Sequence, residues 1–235
     1  ILGVARRTGL EPQLRAAQRT LGPREVRRNM RDDEAFRRLL ALSLRADASC
    51  VDVGANLGEL LAHMVGYAPR GQHIAFEPLP ELAARLRTRF PSVDVREAAV
   101  GAERGRRSFT RVRGIETRSG FDVDGYAPEQ LERLDVEVQT LDDDLPAGVA
   151  PSLIKIDVEG AELEVLRGAV RTLSEHGPTV VFEHDNRGDS AAIYDLLVAS
   201  VGLRVFDFDG DGPLTEADFR RKVNRRSHWN FVAHR

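Results

Sequence analysis

The sequence predicts a doubly wound α/β domain preceded by a helical cap. Three observations carry this. From Ser49 onward, short apolar runs alternate with helical runs, the pattern of βαβ units around a parallel sheet. A loop bearing Gly54 and Gly58 follows the first of those runs directly. The 235 residues, 42% hydrophobic and 30% charged, suffice for one large domain with a sizeable core and a small appendage.

The elements follow in order. Residues 1–46 read as a helical cap on the domain or over its cleft. Within them Arg31–Ala46 opens on Asp32, Asp33 and Glu34, then carries Phe36, Leu39 and Leu40 at helical spacing. Residues 47–235 form the main domain. Strands are expected at Cys50–Val53, His73–Glu77, Val93–Val100, Leu153–Val158 and Thr179–Glu183. Helices are expected at Leu57–Tyr67, Leu79–Phe90, Ala161–Ser174 and Ser190–Val201. Ala161–Ser174 is the clearest, with Leu163, Leu166, Val170 and Leu173 on one face. Residues 105–144 break the alternation and read as an insertion: Arg107–Val112 and Val136–Leu141 are strands that can pair, and Gly114–Glu129 between them is polar. Two last strands, Leu203–Phe208 and Trp229–His234, flank a loop containing Glu216–Arg226.

Composition excludes several classes. A net charge of -3 gives no electrostatic case for nucleic acid. All basic residues but Lys155 and Lys222 are Arg, read here as composition bias. No apolar run reaches the roughly 20 residues that span a bilayer, and no signal peptide is evident. The single cysteine, Cys50, begins an apolar run and is expected to be a buried, inert thiol. A reducing, cytoplasmic compartment with no membrane partner is the expectation; oligomeric state is not legible.

The chemistry starts at CVDVGANLGE, residues 50–59. A dinucleotide loop needs a glycine where Asn56 stands. Asp52, just before the turn, would repel a pyrophosphate and attract a ligand bearing an ammonium and a sulfonium, as S-adenosylmethionine does. Glu77, followed by Pro78, ends the second strand about 20 residues past the loop, where an acid binds ribose hydroxyls. Ala98 and Ala99 end the third strand and are small enough to flank an adenine. Asp52, Gly54, Asn56, Gly58, Glu77, Pro78, Ala98 and Ala99 are therefore the candidate cofactor residues.

These segments, with QTLDDDL (139–145) and LIKIDVEGAELEVLRGA (153–169), resemble the FkbM family of methyltransferases over about residues 49–185. The resemblance implies a Rossmann-like class I methyltransferase fold: a seven-stranded, mostly parallel sheet with an antiparallel last strand. It implies O-methylation of a hydroxyl on a saccharide or natural-product acceptor. Substrate choice is expected in residues 1–46 and in Gly105–Glu129.

Asp157 ends the fourth expected strand, and Glu183 and His184 end the fifth. Neighbouring strands lie about 4.8 Å apart, so the three side chains can converge beside a methyl donor. A hydroxyl must lose its proton to attack. Either His184 or Asp157 acts as general base, or Asp157 with Glu183 or His184 holds a divalent cation such as magnesium. The sequence leaves both open. Glu159 reads as a helix-start acid.

Other features carry less. Leu141–Asp144 reads as a structural turn, and Ser119–Gly120 as a candidate lining of the site. Asp207, Asp209, Asp211, Gly212 and Asp218 match calcium-loop spacing, but strands flank them and Asp-Gly pairs signal hairpins. The Arg-rich runs Arg24–Arg31 and Arg220–Arg226 read as solvated faces. Competing functions are N- or C-methylation, a nucleotide-sugar or NAD enzyme, and a non-catalytic cofactor-binding module. NADH binding would mark the second of these, and cofactor binding without turnover the third.

Overall fold

The computed structural model describes residues 24–185, 188–225 and 228–235. The chain divides into two compact units at Leu42–Ser43. The first contributes helix α1 (Arg24–Ser43). It starts earlier than the acidic signal at Asp32 suggests and stops three residues before Ala46.

The second unit is a doubly wound sheet. Its strands, with the helices between them, are β1 (Ser49–Val53), α2 (Glu59–Tyr67), β2 (Ile74–Phe76), α3 (Pro80–Arg89) and β3 (Asp94–Arg96). After an inserted segment come β7 (Pro151–Ile156), α5 (Glu162–Arg167), α6 (Val170–His176), β8 (Thr179–Glu183), α7 (Ser190–Asp195), β9 (Arg204–Asp207), α8 (Glu216–Asn224) and β10 (Asn230–His234). The inserted segment holds β4 (Ala99–Val100), β5 (Gly105–Val112), β6 (Leu131–Gln139) and the single-turn helix α4 (Leu141–Asp144). The sheet order is β3-β2-β1-β7-β8-β10-β9. Pairs from β3 through β8 are parallel, and β10 is antiparallel to both neighbours. This is the expected seven-stranded sheet.

The central strands are buried on both faces, as parallel strands covered by helices are; one face is apolar, and the other carries Asp52 opposite Lys155. Val51, Val53, Ile154, Ile156, Val180 and Phe182 are all buried in one core with Leu166, Leu173, Phe219 and Phe231.

Three expectations are corrected. The expected strand Val93–Val100 is two strands in two sheets: β3 joins the main sheet, whereas β4 pairs with β6 in a three-stranded sheet of order β4-β6-β5. The backbone changes sheet between Arg96 and Ala99, so Ala98 enters the main core and Ala99 packs with Leu79, Phe109 and Val138. The expected helix Ala161–Ser174 breaks at Gly168–Ala169, where a Cβ on Gly168 would lie 2.0 Å from the Gly101 carbonyl oxygen. The Asp142 carboxylate then accepts from the Arg171 and Thr172 amides and caps α6. The expected loop at Glu216–Arg226 is helix α8, begun by Thr215, whose hydroxyl accepts from the Asp218 amide. In residues 105–144, β5 runs antiparallel to β6 along its whole length, but β6 begins five residues before the expected Val136, so Arg107–Val112 pairs with Leu131–Val136.

Candidate functional site

The carboxyl ends of β1, β2, β7 and β8 meet at one edge of the sheet. Register fixes which residues are neighbours. Val53 pairs with Ile156, and Ile156 with Phe182. One residue further on, Gly54, Asp157 and Glu183 therefore stand side by side.

The loop after β1 is built by contacts within the protein. Gly54 has φ +77, and a Cβ there would lie 2.0 Å from the Asp157 carbonyl oxygen. The Asp157 amide donates to the Val53 carbonyl at 3.1 Å. Gly58 has φ +73, and a Cβ there would strike Phe90 and Leu86. Asn56, with φ 48, supplies the left-handed residue between them, a conformation asparagine tolerates better than most. Its amide donates to Glu77 Oε2 at 2.8 Å. The Leu79 amide donates to Glu77 Oε1 at 2.9 Å, so both oxygens of this buried acid are aimed by the backbone. Burial raises the Glu77 pKa, and those two amides act against the rise. Pro78 lies between Glu77 and Leu79, and Leu79 caps α3.

Asp52 is 1% exposed, and its Oδ1 lies 3.0 Å from Lys155 Nζ. Lys155 Nζ also donates to the Gly54 carbonyl at 2.7 Å and lies 3.6 Å from Asp157 Oδ2. Burial alone would lower the Lys155 pKa; the carboxylates of Asp52, Asp157 and Glu183 outweigh it and hold the pKa above its usual value. Of the two acids Lys155 bridges, Asp157 is the accessible one, with 38% of its side chain exposed.

Glu183 is half-buried. Burial, then the charges of Asp157, Glu159 and Glu162, push its carboxyl up to about 8. Glu159 has φ 47, and its Oε2 lies 3.5 Å from Arg118 Nη1. A Cβ on Gly120 would sit 3.4 Å from the Glu159 carbonyl oxygen, so the insertion reaches this edge. Ser119 is buried and its hydroxyl accepts from the Val112 amide at 3.0 Å, which shapes the insertion.

His184 does not join Asp157 and Glu183, which corrects the expected three-residue convergence. Side chains alternate along a strand, and the next residue after Glu183 turns into the core. His184 is fully buried, stacked 5.8 Å from Phe219, with Nε2 2.9 Å from Ser190 Oγ and Nδ1 3.6 Å from Glu162 Oε2. Among the described residues, no group of three His, Cys, Asp or Glu side chains is arranged to hold a metal ion. Of the donors expected for magnesium, Asp157 and Glu183 stand at adjacent strand ends and His184 does not join them.

Ala98 and Ala99 are both buried in packed cores. The acids at and after the end of β9 have partners within the chain: Asp207 Oδ2 lies 2.6 Å from Lys222 Nζ, Asp211 Oδ2 lies 3.1 Å from it, and Asp209 Oδ2 lies 2.8 Å from His228 Nε2. Cys50 is buried, and burial pushes its thiol up to about 12.

Sequence reasoning passed over Lys155, Glu162 and Arg118. Lys155 carried a readable signal: one of two lysines in the chain, set one residue before the end of an apolar strand. Glu162 and Arg118 carried none beyond their charge.

A sheet of this order, with its reversed strand next to the edge and acids at the ends of β1, β2, β7 and β8, defines a class I methyltransferase. The model of the methyltransferase FkbM domain matches residues 52–206, and the chain belongs to that family, whose members use S-adenosylmethionine. The AMB antimetabolite synthetase AmbE of Pseudomonas aeruginosa is 30% identical over 210 residues, covering 70% of this chain and 10% of AmbE. The 2-O-methyltransferase NoeI of Sinorhizobium fredii is 29% identical over 159 residues, covering 60% of this chain and 65% of NoeI. The chain thus spans less than two thirds of the length of either relative. The crystal structure of methyltransferase FkbM from Methylobacillus flagellatus has the same fold, with a TM-score of 0.51 at 21% identity over 82% of this chain and 45% of that one. No helix among the described residues is long and apolar enough to cross a membrane.

Proposed function

We propose that this chain methylates a hydroxyl of a saccharide or natural-product acceptor, with Glu183 taking the hydroxyl proton. The observation that carries the reading is the pairing of Asp157 and Glu183 at adjacent strand ends beside the glycine loop. The name of the relative NoeI, a 2-O-methyltransferase, supports oxygen as the accepting atom.

When bound, S-adenosylmethionine supplies a methyl group already activated by its sulfonium. Glu77, aimed by the Asn56 and Leu79 amides, suits two ribose hydroxyls. Asp157 is the exposed carboxylate that can meet a cationic ligand. The remaining task is to align the acceptor and remove one proton. With the donor bound, its methyl carbon would pass to the acceptor oxygen, and its sulfur would keep the electron pair of the broken carbon–sulfur bond as a neutral thioether. The hydroxyl proton passes to the Glu183 carboxylate. A base with a pKa near the working pH is the effective kind, and burial, with the site's crowding of carboxylates, sets Glu183 there. His184 has no part in this step, because its ring faces the core.

Of the two routes open to the sequence, base catalysis is favoured over a bound divalent cation, since among the described residues no group of three His, Cys, Asp or Glu side chains is arranged to hold one. We further read residues 1–46 as separate from the methyltransferase domain and residues 105–144 as an insertion that bears on acceptor choice. Contact of Gly120 and Arg118 with Glu159 supports the second of these. The test is methyl transfer from labelled S-adenosylmethionine to a panel of hydroxylated and aminated acceptors, with and without EDTA. Label appearing in ether linkage, insensitive to EDTA and lost in Glu183→Gln, is expected. Label on nitrogen would overturn the oxygen reading, and loss on EDTA treatment would overturn the base route.

A further inference from the structure

Lys155 is costly where it stands. Its ammonium lies inside the sheet, opposite Asp52, and a buried ion pair is often no more stabilising than two well-packed apolar side chains. Stability alone therefore does not explain it. What distinguishes it is reach: one nitrogen holds the Gly54 carbonyl at 2.7 Å and the Asp52 carboxylate at 3.0 Å, with Asp157 at 3.6 Å. These three groups come from the two strand ends that frame the loop.

We infer that Lys155 is a positioning residue that sets the charge the cofactor site presents. It cancels Asp52, anchors the Gly54 carbonyl and the Asp157 carboxylate, and leaves Asp157 to meet the cations of the donor. The inference rests on the reading of this edge as the S-adenosylmethionine site. It also revises the role expected for Asp52, which is 1% exposed and faces the lysine.

A charge role has a signature that packing lacks. The donor bears a sulfonium, and its product, S-adenosylhomocysteine, is a neutral thioether at the same position. Any change in the net charge beside the site must alter the affinity for the two ligands unequally. Removing Lys155 alone adds one negative charge and favours the donor. Removing Asp52 alone adds one positive charge and favours the product. Removing both restores the balance.

The experiment is calorimetric titration of the full chain with each ligand, for wild type, Lys155→Met, Asp52→Asn, the double variant and Lys155→Arg. The quantity read is the ratio of product Kd to donor Kd. It is expected to rise by roughly threefold or more in Lys155→Met and to fall by a similar factor in Asp52→Asn. It should return to within about twofold of wild type in the double variant and in Lys155→Arg. A ratio that stays constant across the folded variants overturns the inference and makes the couple a packing element. If Lys155→Met does not fold, Asp52→Asn and the double variant carry the comparison. A double variant that matches Asp52→Asn rather than wild type then overturns it. Folded wild type that binds neither ligand overturns the cofactor-site reading itself, and the inference with it.

Discussion

Glu183 follows Phe182 in β8 as Asp157 follows Ile156 in β7, and those two strands pair in register. Burial, together with the neighbouring Asp157 carboxylate, pushes the Glu183 carboxyl up to about 8. One acid is thus the exposed charge of the site and the other holds a proton near neutrality. Division of labour between two carboxylates follows from environment alone.

The raised Glu183 pKa makes a stability prediction with a definite sign. An unfolded glutamate has a pKa near 4.3, so between that value and about 8 the native state binds the extra proton. Stability from this group is fully present below about pH 4 and is lost as pH rises through about 8. Glu183→Gln removes the loss. Its Tm should match wild type near pH 4 and exceed it by about 5 °C or more at pH 9, an effect on the order of 2 kcal/mol. Thermal melts across that range check this; a variant less stable than wild type at pH 9 contradicts it.

Activity should move the other way. The acceptor proton needs an ionised Glu183, so kcat/KM at limiting donor should rise with pH and level off above about 8. A bound sulfonium favours the carboxylate, so the same limb in kcat should fall at lower pH. Glu183→Gln should reduce kcat by about 10²-fold or more. Steady-state rates between pH 6 and 10 measure all three.

His184 should behave as a core residue. Ala in its place opens a cavity against Phe219 and leaves Glu162 Oε2 and the Ser190 hydroxyl facing it. A loss of roughly 2–4 kcal/mol is expected, with the Kd for S-adenosylmethionine changed by less than about threefold. Denaturant unfolding and calorimetry on the same sample separate the two. Abolished turnover in a His184→Asn variant of wild-type stability would return the histidine to the chemistry.

Gly54→Ala tests the loop. The added methyl would meet the Asp157 carbonyl at 2.0 Å, and φ +77 disfavours any side chain. Both strand ends must shift, so Tm should drop by about 6 °C or more and donor binding should weaken at least tenfold. Gly105, with open space around its Cβ position, is the control, and Gly105→Ala should leave binding unchanged.

Much of this was legible in the sequence because the central strands are buried on both faces and read as short, mostly apolar runs. Cys50–Val53 and Thr179–Glu183 stood out for that reason, and the acids that follow such runs fall at the strand ends. Local pattern did not reveal where a run leaves one sheet for another: Val93–Val100 is unbroken as sequence, yet Ala98 and Ala99 face different cores. It did not reveal α8 either, since Arg220, Arg221 and Lys222 conceal the two buried residues Phe219 and Val223. His184 misled because a histidine after Glu183 suits catalysis, while the alternation of the strand sends it inward. Lys155 was passed over although a lysine in an apolar strand was readable, because its role follows only from Asp52 facing it.

The most direct test of the central claim is calorimetric titration of S-adenosylmethionine into wild type and Glu77→Ala. The account predicts micromolar binding to wild type, weakened by about 30-fold or more in the variant, where the Asn56 and Leu79 amides lose their acceptor. Equal binding by both folded proteins, or none by wild type, would contradict it.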